Sequence, residues 1–140
     1  MNKKEALELF HKYDDPIQWD YPIGFDHNSA VSRFRHFASE FDALTGVSHK
    51  IDTESSIQDA SFHSQMDLGS DLLRFSNFGN MVSITPNHQV NEGTIALVLK
   101  LCQENEYFFV PTEFAEMPYT GENPGVAGIS SWWIRYFDWV

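Results

Sequence analysis

The sequence predicts a single α+β domain over residues 1–140, an antiparallel sheet with helices packed on one face. Three observations carry that expectation. Apolar residues recur at helical spacing in three separate segments, near the start, from Asn28 to Gly46 and from Asn91 to Glu106. Between Ile57 and Pro86 the period changes to two, the pattern of strands with one buried and one wet face. The resulting order of helix, helix, strands, helix, strand fits helices layered on a sheet whose other face is partly open. A chain of 140 residues, 42% hydrophobic and 15% aromatic, is long and apolar enough for one core. It contains no internal repeat, no low-complexity tract and no linker.

The first helix is expected in KKEALELFHKY, where Ala6, Leu7, Phe10 and Tyr13 share a face. Asp14, Asp15 and Pro16 stop it, because a residue before proline avoids the helical region. A turn-rich segment then runs to about Asp26. Asp26 or Asn28 can cap the next helix, whose stripe is Val31, Phe34, Ala38, Phe41 and Leu44 and whose stop is Gly46. Ala60, Phe62, Met66 and Leu68 are expected on the buried side of a strand, with Asp59, Ser61, His63, Gln65 and Asp67 on the wet side. A hairpin follows around Asn77–Asn80, since Gly79 accepts positive φ cheaply, and Pro86 closes its second arm. Asn91 caps a helix with Ile95, Val98, Leu99 and Cys102 inside. YFFVP is a short β-prone run, and TEFAEMPYTGENPGVAG is an irregular surface loop.

Twenty acids against nine bases leave a formal charge of −11. No base lies between Lys12 and Arg33, between Lys50 and Arg74 or between Lys100 and Arg135, whereas each interval carries four or five acids. Such a field repels nucleic acid, whose binding depends on Lys and Arg at phosphates. It attracts cationic partners and speeds encounter with them, besides conferring solubility. The single Cys102 fits a reducing compartment. Glu5 and Glu8 interrupt the apolar residues behind Lys3 and Lys4, and no run approaches the ~18 apolar residues of a membrane span. The expectation is a cytoplasmic protein that binds neither membrane nor nucleic acid.

No motif names a reaction. The six histidines form no H-x-x-x-H pair, so neither a metal nor another cofactor is expected. Cys102 lies on an apolar helix face, and no G-x-S-x-G elbow is present. Asp14 and Asp15 are adjacent in an expected solvated loop, where nothing desolvates either carboxyl for acid–base work. An enzyme is not the expectation.

The segment DDPIQWDYPIGFD is the densest part of the chain in recognition chemistry. Trp19 and Tyr21 flank Asp20, with Asp14, Asp15 and Asp26 near in sequence. Trp and Tyr dominate interface hot spots, and an acidic rim around them complements Lys and Arg. These six residues are the candidate partner-binding site, while Trp19 and Tyr21 are also able simply to pin the loop. The C-terminal WWIRYFDWV carries a similar choice between closing the core and forming an aromatic patch.

In overall character, and in DDPIQWDYPIGFD in particular, the chain resembles bacterial toxin-neutralising immunity proteins. The resemblance implies stoichiometric binding of a cognate toxin domain, often a basic nuclease, with no catalysis and no cofactor. Two other readings stay open. One is a scaffold domain whose acidity confers only solubility. The other is a ligand carrier or small enzyme with an aromatic-lined cavity where polar groups such as His63 and Arg74 converge.

Overall fold

The computed structural model describes residues 1–53, 57, 59–123 and 129–139. Helix α1 (Lys3–Tyr13) begins at Asn2, whose side chain accepts from the Glu5 N–H while the Glu5 carboxylate accepts from the Asn2 N–H. Helix α2 (His27–Thr45) is capped by Asp26 and ends at Gly46 in the left-handed region, φ 72°. Strands β1 (Ile51–Asp52), β2 (Phe62–Asp67), β3 (Leu72–Ser76) and β4 (Met81–Ile84) follow as an antiparallel series. Helix α3 (Glu92–Glu104), capped by Asn91, leads into β5 (Phe108–Phe109), which pairs parallel to β4. Helices α4 (Thr112–Ala115) and α5 (Trp132–Phe137) complete the order. The α+β class and the largely antiparallel sheet, ordered β1-β2-β3-β4-β5, are as expected.

Strand alternation assigns side chains to two faces. Met66, Leu73, Phe75, Val82 and Ile84 share one face and pack with Phe34, Phe37, Phe41, Val98 and Leu101 of α2 and α3. The opposite face, expected to be partly open, is covered as well. Gln65, Arg74 and Phe62 point there, and the Arg74 guanidinium lies 4.5 Å from the Phe62 ring centroid and 4.8 Å from that of Trp139. Beyond them α1, α4 and α5 form a second apolar cluster around Phe10, Phe78, Trp132, Tyr136 and Phe137. The aromatic C-terminus is therefore a helix that closes the core, with Trp139 bridged to Ala60 beyond it.

Register shifts between Phe62 and Ser64, where Phe62 pairs with Ser76 and Ser64 with Phe75. His63 is the extra residue of this bulge. The bulge places Phe62 on the face opposite Met66, where strict alternation would have put them together. It also buries His63, which alternation had assigned to the wet side. The Gly79-Asn80 turn behaves as expected, with both residues at positive φ. The expected irregular segment 112–128 begins instead with helix α4, and its residues 124–128, Glu54 of the second acidic run and Val140 lie outside the described residues.

Candidate functional site

The segment between α1 and α2 is a loop fixed from within. Asp15 makes its first turn, because Oδ1 accepts the N–H groups of Ile17 at 2.8 Å and Gln18 at 2.9 Å. Those two donors hold its carboxyl below the usual range. Asp26 ends the loop by accepting the Ser29 N–H at 3.1 Å. Asp14 differs from both, and from the solvated group its sequence context implies. Its side chain is 4% exposed, with Oδ1 accepting from Arg135 Nε at 2.8 Å. Oδ2 accepts from the Tyr119 hydroxyl at 2.7 Å and the Glu122 N–H at 2.8 Å.

Arg135 gathers the rest of the loop. Its Nη1 donates to the Trp19 carbonyl and its Nη2 to the Gln18 carbonyl, each at 2.9 Å. Asn123 Nδ2 donates to the Asp15 carbonyl, and Asn77 Nδ2 to that of Asp20. Loop carbonyls, which otherwise demand water, are thus satisfied by buried donors. Trp19 is half-buried beneath the loop with its ring 5.4 Å from the Arg135 guanidinium, so it pins the segment. Of the six sequence-chosen residues, Asp14 and Trp19 face inward, Asp15 and Asp26 shape the backbone, the half-buried Asp20 lines a cavity, and Tyr21 stands exposed.

A backbone held this way displays apolar groups outward. Ile17 is 81% exposed, Ile23 85% and Tyr21 51%. Sequence reasoning passed over both isoleucines, because which side of a loop faces solvent depends on what pins the other side. Tyr21 stacks on Phe25 with centroids 6.2 Å apart, which limits its freedom.

Beside Tyr21 opens a cavity of about 420 Å³, lined by Asp20, Tyr21, Phe25, Asp59, Phe62 and His63 among others. This volume lies within the range of small-ligand sites. His63 is held by a 2.7 Å contact between Nδ1 and Ser64 Oγ. Burial, aided by the charges of His27 and Arg33, pushes its pKa down to about 3, so the ring is neutral at physiological pH. Arg74 does not join it; its Nη1 donates instead to the Phe137 carbonyl. Ser64 is fully buried and outside the lining, so the Ser–His contact orients the ring without presenting a nucleophile. Burial likewise raises the Cys102 thiol to about 12. Among the described residues no three of His, Cys, Asp and Glu gather as a metal cluster, and no helix is long and apolar enough to cross a membrane.

The chain matches no protein-family profile, no curated protein and no solved structure.

Proposed function

We propose that this protein is a binding module for a basic protein partner, docking it on the outer face of the 14–26 loop. The observation that carries the reading is the contrast across that loop: buried donors hold the backbone, and Ile17, Tyr21 and Ile23 stand exposed above it. Ordering costs are then met in the free protein, which raises the affinity a small apolar patch can reach. The formal charge of −11 favours a cationic partner and accelerates its approach. Stoichiometric neutralisation of a toxin domain, the role implied by the resemblance to immunity proteins, uses these two properties and needs no catalytic group.

Affinity capture from lysate of the source organism tests this, using tagged wild type and an I17D/I23D variant in parallel, washed at low and then high salt. One basic protein retained in stoichiometric amount by wild type, weakened by salt and lost by the variant, is the expected result. Equal capture by both proteins would remove the loop face as the docking surface. Co-expression should then protect cells from the captured protein if that partner is toxic.

A further inference from the structure

The cavity beside Tyr21 combines features that select one class of ligand. Its aromatic lining comes from Tyr21 and Phe25 of the loop, the His27 and His63 rings, and Phe62 of β2, whose ring already has the Arg74 guanidinium 4.5 Å from its centroid. Two carboxylates, Asp20 and Asp59, also line it, and neither has a hydrogen-bond or ion-pair partner among the described residues. Among the described residues no lysine or arginine contributes to the lining. Aromatic faces attract cations through their quadrupole, and adjacent unpaired carboxylates add direct Coulomb attraction. An anion would meet two carboxylates, against which His27 is the one described lining group besides His63 able to carry positive charge.

His63 adds a polar group that is unused inside the fold. It is 5% exposed, and its Nε2 has no partner among the described residues. The Ser64 hydroxyl is fully buried, with no other acceptor among the described residues. Its proton therefore goes to His63 Nδ1, which leaves the ring proton on Nε2 as a donor. A ligand that satisfies the whole cavity carries a cation with a hydrogen-bond acceptor nearby, as a basic residue in a peptide does with its own carbonyl.

We propose that this cavity receives an organic cation, the guanidinium or ammonium end of a basic side chain presented by the protein that docks on the 14–26 loop. The identity of the cation's carrier rests on the docking reading above; the cavity's preference for a cation does not. Tyr21 belongs to both surfaces, so a partner seated on Ile17 and Ile23 is able to place one side chain into the cavity.

The probes are N-acetyl-arginine methylamide and its neutral citrulline counterpart, titrated into the full-length wild-type protein and followed by amide chemical shifts. The arginine compound should give saturable shifts around residues 20–25 and 59–63, with millimolar affinity, and the citrulline compound should bind at least about tenfold more weakly. D20N/D59N and F25L should each weaken the arginine compound severalfold. The absence of saturable shifts, or equal binding of the citrulline compound by wild type, overturns the cation site whether or not a variant folds. Competition between the arginine compound and the captured partner assigns the cation to that partner. Saturable binding without competition supports the cation site with a free amine or guanidine as its ligand. Lost partner capture in I17D/I23D with arginine binding intact separates the two surfaces.

Discussion

Arg135 Nε lies 2.8 Å from Asp14 Oδ1, joining the last helix to the end of the first across 121 positions of sequence. Both side chains are out of solvent, at 0% and 4% exposure. Removing one member of a buried pair strands the other's charge, so D14A or R135M should cost about 3–5 kcal/mol in urea unfolding. The double variant should cost less than the sum of the singles, because neither charge is then stranded. A cost below about 1 kcal/mol for D14A would mean that the carbonyls of Trp19 and Gln18 suffice to hold the guanidinium. A Cβ at Gly121 would overlap the Asp14 carboxylate and the Tyr119 hydroxyl, so G121A should disturb the same cluster.

Gly79 is under two constraints at once. Its φ is +60°, and a Cβ there would overlap the Tyr13 ring. Gly46 has a similar φ of +72° with open space around it. G46A should therefore lose only the left-handed penalty, about 1–2 kcal/mol, whereas G79A should lose that and a further ~1–3 kcal/mol from the overlap. Thermal unfolding of G79A with and without Y13A decides the point. If trimming Tyr13 restores nothing, the overlap is relieved by movement of the turn instead.

The contrast between local and distant causes explains which parts of this molecule were legible in its sequence. The caps at Asp26 and Asn91, the stop at Gly46 and the Gly79-Asn80 turn act within a few residues, so sequence spacing reveals them. The bulge at His63 is a property of strand pairing, and no one-strand pattern contains it. Parallel pairing of β5 depends on how α3 crosses over, which two β-prone residues do not encode by themselves. Arg135 is the clearest case. Within WWIRYFDWV it reads as one base among aromatics, yet it organises the candidate site from the other end of the chain. The dense aspartates of the first loop were visible at once, but that Asp14 alone turns inward was fixed by Arg135 and Tyr119, partners far away in sequence.

Burial of His63 makes stability depend on pH in a defined direction. Its pKa falls from an ordinary 6.5 to about 3 in the folded state. Between those values the unfolded chain binds the proton and the folded one does not, so acid favours unfolding. Stability should fall by up to ~1.4 kcal/mol for each pH unit lowered through that interval. Chemical denaturation at pH 7, 6 and 5 should show a slope that shrinks in H63Q. An unchanged slope in that variant would place the acid sensitivity on other groups.

Charge and apolar contact should separate kinetically once the captured partner is in hand. Encounter is governed by the long-range field, to which the paired Asp14 contributes little beyond Arg135, whereas Asp20 and Asp26 have no ion-pair partner among the described residues. D20K/D26N, which keeps an amide oxygen to cap α2, should therefore slow association and flatten its salt dependence. Ile17 and Ile23 act only after contact, at a distance where desolvation counts. I17A and I23A should each raise the dissociation rate by about 5–30-fold, the equivalent of ~1–2 kcal/mol, with association altered far less. The two sets of variants divide the loop between its two tasks. If the isoleucine variants changed association and left dissociation alone, the exposed residues would be steering the approach through loop conformation, and the docked state would be held by another part of the surface.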